Sequence, residues 1–266
     1  MIPARLGSTR LPNKPLADIG GMPMVVRVAQ RAKLSDATRV IVVAQDESIV
    51  SAVRLAGFEA LLTGINHVSG TDRLAEACQL LGLADDTVVV NAQGDEPFID
   101  PLLINAVAQQ INDERSINMA TACHALDDHA ELANPNIVKV VLDFQNYALY
   151  FSRAAIPFSR ALKQVDKSSG SGGTIQGEVA NTMALPSTYR HIGIYAYRAD
   201  FLKMFSQLSP APIEQLESLE QLRALWFGYR IKAHIALRKP AMGVDTPADL
   251  DRARATFLEM QSIPPN

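Results

Sequence analysis

The sequence predicts an α/β fold, with a doubly wound, mostly parallel sheet and a smaller α+β subdomain. Two β-branched runs, residues 39–44 (RVIVVA) and 87–91 (TVVVN), are continuously apolar, as expected of strands buried on both faces. Segments with helical periodicity lie between and around them. Strands that alternate with helices indicate βαβ units, and such sheets bind their ligands at the carboxyl ends of the strands.

The helices of this predicted core carry apolar residues at spacings of three and four, the pattern of one buried face. They are residues 24–33, 47–56 and 102–111. After about residue 115 the pattern changes, because two strand-like runs follow each other without a full helix between them. This change indicates a smaller, partly antiparallel subdomain, with predicted strands at residues 137–142, 147–151 and 191–197.

The remaining segments complete the predicted fold. Residues 163–188 contain SSGSGG and little apolar periodicity, which predicts a flexible loop. The pattern then predicts a helix at 213–226, a returning strand at 231–237 and a terminal helix at 246–259. Pro247 opens this terminal helix at its first turn. We therefore expect a core of residues 1–125 and 225–266, and a subdomain of residues 126–224.

Composition excludes several classes of protein. The chain has 266 residues, 48% hydrophobic and 20% charged, which is ordinary for a packed globule and excludes overall disorder. No apolar run approaches the roughly 18 residues of a membrane span, and the N-terminus lacks a signal-peptide pattern, so we expect a cytoplasmic protein without a membrane partner. Cys78 and Cys123 have no neighbouring Cys or His at ligand spacing, so neither a disulfide framework nor a zinc site is indicated. We expect both to be buried core residues.

The charges favour a small anionic ligand over a nucleic acid. The net charge is −3, whereas nucleic-acid surfaces usually need a basic excess. A local excess exists in residues 3–16 (PARLGSTRLPNKPL), where Arg5, Arg10 and Lys14 meet no acid before Asp18. With three prolines and one glycine, this segment is a predicted loop that can wrap a phosphate chain. Composition alone leaves a solvated turn open, since neither the dinucleotide-binding fingerprint nor a P-loop is present.

The apolar start of the first strand is short. Only Met1 and Ile2 precede Pro3, which is fewer than a strand of typical length contains. Either the strand is unusually short or the chain begins late, and a true truncation is expected to weaken the order of residues 5–14.

Twelve colinear motifs lie between residue 3 and about residue 250. They are PAR (3–5), STRLP (8–12), KPL (14–16), SGTDR (69–73), Asn91, QGDEP (93–97), NP (134–135), VKVV (138–141), YFSR (150–153), HIGIY (191–195), LEQLR (219–223) and GVDTP (243–247). Together they resemble the motifs of one family, the 3-deoxy-manno-octulosonate cytidylyltransferases or CMP-Kdo synthetases.

The resemblance implies a Rossmann-like fold of the nucleotide-diphospho-sugar transferase type and a Mg²⁺-dependent nucleotidyltransferase. Such an enzyme forms CMP-Kdo and pyrophosphate from CTP and 3-deoxy-manno-octulosonate, for lipopolysaccharide biosynthesis. The expected reaction is in-line attack of the anomeric hydroxyl on the α-phosphorus. The resemblance also implies a homodimer built through the subdomain that binds the sugar.

Two aspartates are candidate metal ligands. Asp95 follows the predicted strand 87–91, and Asp245 precedes the terminal helix. From position alone, Asp95 could be a turn residue and Asp245 a helix cap. The resemblance implies that both bind Mg²⁺, which nucleotidyl transfer uses to bridge phosphate oxygens. Glu96 is left out because an extended backbone would point it elsewhere.

The resemblance also implies the remaining site residues. The catalytic residues are Arg10, Lys14 and Asp95. The nucleotide-binding residues are Ala4, Arg5, Ser8, Arg10, Lys14, Ser69, Arg73, Gln93 and Gly94, of which Arg73 and Gln93 would read the cytosine. A surface ion pair with Asp72 or Glu76 is the alternative for Arg73.

An acidic sugar needs a cation and several polar groups. The expected sugar-binding residues are Arg153, His191, Tyr195, Glu220 and Gln221. Tyr195 could instead be a core aromatic, and Glu220 with Gln221 could be the solvated face of a helix.

Other functions stay open at this level. A CMP-8-amino-Kdo synthetase, a CMP-sialate synthetase or an enzyme acting on a sugar or polyol phosphate would use the same sheet. A non-catalytic nucleotide-binding relative would keep the fold and lose part of the set Arg10, Lys14, Asp95 and Asp245. A glycosyltransferase is disfavoured because no Asp-x-Asp motif follows the strand at 87–91.

Overall fold

The computed structural model of the protein describes residues 1–67, 69–126, 128–158 and 188–262. The strands are β1 (Ile2–Ala4), β2 (Asp18–Ile19), β3 (Met22–Pro23), β4 (Ile41–Ala44), β5 (Glu59–Leu62), β6 (Val88–Asn91), β7 (Met119–Ala125), β8 (Lys139–Leu142), β9 (Ala148–Ser152), β10 (Tyr189–Arg198) and β11 (Ile231–Ala236). The helices are α1 (Met24–Ala32), α2 (Glu47–Leu55), α3 (Gly70–Leu80), α4 (Pro101–Asp113), α5 (His129–Ala133), α6 (Ala199–Phe205), α7 (Pro212–Glu217), α8 (Gln221–Trp226) and α9 (Pro247–Ser262), with a short 3-10 helix at Lys14–Leu16.

The N-terminal half is built on a parallel sheet of strand order β1-β4-β5. Ile2 lies opposite Val42, and Ile41 lies opposite Glu59. All four residues of β4 are buried, as its continuous apolar run predicts. Val25 and Val50 from α1 and α2 belong to the same core cluster as β1 and β4. This packing fixes β1, whose carboxyl end leads into the predicted phosphate loop.

A six-stranded sheet of order β11-β7-β10-β8-β9, with β6 also paired to β10, forms the rest of the scaffold. Among the described strands of this sheet, only β11 and β7 pair in parallel, and the other pairs are antiparallel. The α-amino group of Met1 donates to Val90 O at 2.7 Å, and the Ala92 N–H donates to Met1 O at 3.0 Å, so β1 adjoins β6. The α/β fold class is confirmed, with a larger antiparallel share than the sequence predicts.

The long strand β10 explains that larger share. It pairs with β6, β7 and β8. It therefore connects the predicted subdomain of residues 126–224 to the sheet of the core. The boundaries at 125 and 224 stay a prediction, and the predicted loop at 163–188 lies outside the described residues except for Thr188.

One predicted helix is wrong. The segment 213–226 forms two helices, α7 and α8, because Ser218 between them adopts a left-handed backbone with φ of 51°. A non-glycine residue in this region ends a helix. The break turns Glu220 and Gln221 towards the protein interior, where Gln221 is buried. The other predicted elements are confirmed within three residues at each end.

The structure also bears on the two cysteines and on membrane-spanning segments. Cys78 and Cys123 are both free and buried, and burial raises the pKa of the two thiols to about 11 and about 12. Among the described helices, none combines the length and the apolar character needed to cross a bilayer.

A second cavity, of about 360 Å³, lies at the amino-terminal end of β1. It is lined by residues 38–41 before and within β4, by residues 87–90 of the β6 segment, and by side chains of α4 such as Ile104 and Ala108. The α-amino group of Met1 lies at its edge, and burial lowers the pKa of this group to about 6.

Candidate active site

A cavity of about 410 Å³ lies at the carboxyl ends of β1 and β6, the edge at which such sheets bind ligands. All the predicted nucleotide-binding and metal-binding residues line it. They are Ala4, Arg5, Ser8, Arg10, Lys14, Ser69, Arg73, Gln93, Gly94, Asp95 and Asp245. The structure therefore brings together residues from the beginning, the middle and the end of the chain.

The phosphate loop is anchored on its inner side. Leu11 is buried in a small core with Ile19, Met24 and Val244, and the Leu11 N–H donates to Ser8 Oγ at 3.3 Å. The Lys14 N–H in turn donates to Leu11 O at 3.2 Å. Because Leu11 is fixed between them, Arg10 and Lys14 present their side chains to the cavity.

The loop after β6 passes very close to β1 at Gly94. A Cβ atom at this position would lie 2.8 Å from Pro3 O, a backbone atom that cannot move without shifting β1. Glycine is therefore required here for the close approach of two main chains. This contact places Asp95 beside the phosphate loop.

Four charged side chains meet at the end of the cavity. Lys14 Nζ lies 2.7 Å from Asp95 Oδ2 and 2.9 Å from Asp245 Oδ1. Arg10 lies 3.4 Å from the other carboxylate oxygen of Asp245. The two aspartates, 150 positions apart in the chain, thus converge on a single ammonium group.

Asp245 is not the cap of α9, which was its alternative role. Asp249 Oδ2 accepts the N–H groups of Asp245 and Thr246, and Thr246 Oγ1 accepts the N–H of Asp249. The Thr246–Asp249 pair thus caps the helix. The Asp245 carboxylate takes no part in the cap and contacts Lys14 and Arg10 instead.

The chemistry of the donor set fits a Mg²⁺ ion brought in with phosphate. Two carboxylates converge on one point, and Mg²⁺ typically takes one or two carboxylates together with water and substrate phosphates. Within the described residues, no group of three or more His, Cys, Asp or Glu side chains could hold a metal ion. Glu96 does not line the cavity, and burial, with a contribution from the Asp95 charge, raises the pKa of its carboxyl to about 7.

Arg73 is a buried residue and not a surface ion pair. Its side chain extends from α3 into the wall of the cavity, where the residue is only 2% exposed. The guanidinium donates to Thr63 Oγ1 at 2.8 Å, to Gly64 O at 3.3 Å and to Gln45 Oε1 at 2.7 Å. The alternative of an ion pair with Asp72 or Glu76 on the helix surface is therefore wrong.

Gln93 is held by an irregularity in β10. The pairing of β10 with β7 shifts register between Ile192 and Tyr195, and Gln93 Nε2 donates to the Gly193 carbonyl at 3.1 Å. This contact leaves the Gln93 carbonyl oxygen available as an acceptor in the cavity. Reading of the cytosine by Arg73 and Gln93 stays a prediction.

None of the five predicted sugar-binding residues lines the cavity. Arg153 donates through Nε to Glu217 O at 2.8 Å and through a terminal nitrogen to Pro135 O at 3.2 Å. His191 and Tyr195 pack ring against ring with centroids 5.4 Å apart, and His191 Nε2 lies 2.9 Å from Thr121 Oγ1. Their role in sugar binding stays a prediction.

Glu220 and Gln221 lie closer to the cavity. The Thr71 hydroxyl donates to Glu220 Oε2 at 2.8 Å, and Thr71 adjoins Ser69 and Gly70 in the cavity wall. Burial raises the pKa of the Glu220 carboxyl. In the part of the chain that the structure describes, Glu220 Oε1 and Gln221 Nε2 are buried without a hydrogen-bond partner. Buried polar atoms of this kind usually have a partner, so both are candidates for ligand contacts.

His67 is a cavity residue that sequence reasoning missed. Its Nε2 lies 2.5 Å from Glu76 Oε2, which also accepts the Gly64 N–H at 2.8 Å. This pair ties the segment after β5 to α3. A signal was available, since His67 lies two positions before the SGTDR motif.

His191 gives a pH-dependent prediction. Burial lowers the pKa of its ring from 6.5 to about 3, so the folded protein keeps the ring neutral while the unfolded chain takes up a proton below pH 6.5. The folded state is therefore destabilised as the pH falls from 6.5 towards 3, by about 2 kcal/mol at pH 5. In a His191→Gln variant this part of the pH dependence is expected to disappear. Urea unfolding at pH 7 and pH 5 measures it, and an unchanged difference between the two pH values would contradict the assignment.

A doubly wound α/β sheet with a cationic loop and two converging carboxylates at its carboxyl edge defines the class of a nucleotidyltransferase. Comparisons with known proteins narrow this class. The cytidylyltransferase family model matches residues 1–231. The 3-deoxy-manno-octulosonate cytidylyltransferases of Acidovorax sp. (strain JS42) and Acidovorax ebreus (strain TPSY) are each 57% identical over 254 residues, 96% of this chain and 95% of each relative. The chain belongs to the 3-deoxy-manno-octulosonate cytidylyltransferase family.

Solved structures agree with this membership. A CMP:2-keto-3-deoxy-manno-octonic acid synthetase complexed with CTP matches with a TM-score of 0.84 at 39% identity, covering 97% of both chains. A Bacillus anthracis structure named as a putative glucose-1-phosphate thymidylyltransferase matches with a TM-score of 0.61 at 16% identity, covering 100% of this chain and 96% of that one, which supports the fold alone.

Proposed function

We propose that this chain transfers the cytidylyl group of CTP to 3-deoxy-manno-octulosonate, forming CMP-Kdo and pyrophosphate. The observation that carries the proposal is the meeting of Arg10, Lys14, Asp95 and Asp245 at the end of the cavity. Cations that bind phosphates and carboxylates that bind a metal ion are both needed for this reaction, and a binding protein would not need both. Membership of the family supports the choice of substrates.

In the proposed complex, the base and ribose of CTP lie between Arg73, Gln93 and Ser69, and the triphosphate lies along residues 5–14. Arg10 and Lys14 donate to phosphate oxygens, which neutralises charge that grows on the leaving pyrophosphate. Asp95 and Asp245 would hold Mg²⁺, which polarises the α-phosphorus and orients the phosphates.

The anomeric hydroxyl of the sugar attacks the α-phosphorus in line with the departing pyrophosphate. One oxygen–phosphorus bond forms, the bond to the bridging α–β oxygen breaks, and the hydroxyl proton leaves to solvent. No covalent intermediate with the protein is needed. The protein acts by positioning and by electrostatic stabilisation.

The sugar would bind beside the cavity wall formed by Ser69 and Gly70. The unpaired Glu220 Oε1 and Gln221 Nε2 behind that wall support this location, since a sugar offers both donors and acceptors. His191 and Tyr195 would shape the pocket, and Arg153 would meet the sugar carboxylate after release from Glu217.

Four wider properties belong to the same proposal. Activity depends on Mg²⁺, and the product enters lipopolysaccharide biosynthesis. The protein works in the cytoplasm, and it forms a homodimer through the segment 126–224. The family resemblance supports each of them.

A substrate panel tests the proposal. CTP is offered with 3-deoxy-manno-octulosonate, its 8-amino analogue, sialic acid or a simple sugar phosphate, and released pyrophosphate is measured. We expect release with the octulosonate and little with sialic acid. Activity only with a phosphorylated acceptor would overturn the proposal, and preference for the 8-amino sugar would make the chain a CMP-8-amino-Kdo synthetase.

A further inference from the structure

The contact between Lys14 and the two aspartates has a consequence for the order in which ligands bind. Lys14 Nζ is within hydrogen-bond distance of both carboxylates, and its side chain is 16% exposed. Two carboxylates that face each other repel, and one ammonium between them removes much of that repulsion. Lys14 is therefore a counterion supplied by the chain itself.

Lys14 Nζ contacts both of the carboxylates that a divalent cation would need as ligands. Its distances of 2.7 and 2.9 Å to Asp95 and Asp245 are those of charge-assisted hydrogen bonds, and a Mg²⁺ ion would approach the same oxygens to about 2.1 Å. If both cations held these two oxygens at once, their like charges would lie within a few ångströms of each other and would repel. Metal binding at the pair therefore requires the Lys14 side chain to move.

Arg10 does not share this position. It contacts the outer oxygen of Asp245 at 3.4 Å, its side chain is 65% exposed, and it has no contact with Asp95. Loss of Arg10 removes the same charge as loss of Lys14 but leaves the point between the carboxylates filled. Substitution of Arg10 is therefore a matched control for substitution of Lys14.

We propose that Lys14 competes with the metal ion for Asp95 and Asp245 until a triphosphate offers Lys14 another anion. The proposal rests on the proposed function, in which CTP binds along the loop that carries Lys14. Nucleotide draws the ammonium away from the carboxylates and adds phosphate oxygens to the metal's ligand set. Metal and nucleotide therefore bind with positive coupling, and the metal binds weakly without nucleotide.

Binding of Mn²⁺, a paramagnetic probe of Mg²⁺ sites, tests the proposal by electron paramagnetic resonance of the free ion. With protein alone, Lys14→Met is expected to bind Mn²⁺ at least tenfold more tightly than the wild type, and Arg10→Met less than threefold more tightly. Equal Mn²⁺ affinities of the wild type and Lys14→Met, or equal gains in the two variants, would overturn it.

A second titration measures the coupling itself. A non-hydrolysable CTP analogue is expected to tighten Mn²⁺ binding more for the wild type than for Lys14→Met, after correction for Mn²⁺ bound to the free analogue. An equal effect on both proteins would overturn the role of Lys14 in coupling. Circular dichroism checks that each variant is folded. If Lys14→Met is unfolded, Lys14→Gln is used in its place. Absence of CTP turnover by the wild type would count against the proposed function and leaves the result with protein alone unaffected.

Discussion

Replacement of Asp95 with asparagine is expected to lower the rate of CMP-sugar formation by about 10³-fold or more. The amide keeps the size of the side chain but removes the charge that would hold Mg²⁺. It also weakens the contact with Lys14 Nζ, which lies 2.7 Å from the carboxylate. Released pyrophosphate, measured at saturating CTP and sugar, gives the rate.

The fold should survive this change, because the Asp95 side chain is one third exposed and lies at the edge of the cavity. Asp86→Asn, at an exposed position before β6, removes the same charge away from the site and is expected to leave turnover unchanged. Near-normal turnover of Asp95→Asn would refute the assignment of Asp95 as a metal ligand.

Replacement of Arg73 with methionine is expected to impair both stability and nucleotide binding. The variant leaves Thr63 Oγ1, Gly64 O and Gln45 Oε1 without their donor, at a cost of about 3 kcal/mol of unfolding free energy. If Arg73 also contacts the cytosine, the KM for CTP rises about a hundredfold. Urea unfolding and steady-state kinetics separate the two effects.

Arg115→Met provides the comparison, because Arg115 is exposed and lies away from the cavity. We expect Arg115→Met to change neither the free energy of unfolding nor the KM for CTP measurably. A destabilised Arg73→Met enzyme with an unchanged KM for CTP would show that Arg73 only supports the cavity wall, and the prediction of cytosine contact would be wrong.

The sequence predicts those elements best whose signal is local. The apolar runs of β4 and β6 and the periodicity of α1 and α2 are sufficient, because burial on one or both faces dictates those residues. The partner of β6 is not predictable in this way. A run such as Val88–Val90 is equally apolar whether the neighbouring strand is parallel or antiparallel to it. The antiparallel neighbour is β10, which is long enough to reach β6.

The break between α7 and α8 shows a second limit. Residues 213–226 have helical periodicity throughout, and no glycine or proline marks the interruption inside the segment. Ser218 adopts its left-handed conformation as tertiary packing buries Gln221 and Leu222. Tertiary packing overrides local propensity here, so the orientation of Glu220 needed a structure.

For the site, motifs were sufficient to identify residues but not their contacts. The set from Ala4 to Asp245 was predicted and lines one cavity. Three details depend on distances between remote segments: the sharing of Lys14 by two aspartates, the capping of α9 by Thr246, and the burial of Arg73. His67 belongs to no motif, and its position two residues before SGTDR is the one signal that could have identified it.

The proposed transfer of CMP to an octulosonate can be observed directly in a single reaction mixture. The wild-type protein is incubated with CTP, Mg²⁺ and 3-deoxy-manno-octulosonate, and the mixture is followed by ³¹P nuclear magnetic resonance and mass spectrometry. We expect one pyrophosphate for each CTP consumed and a product with the mass of CMP-Kdo. Unchanged CTP, or hydrolysis to CMP without a sugar adduct, would contradict it.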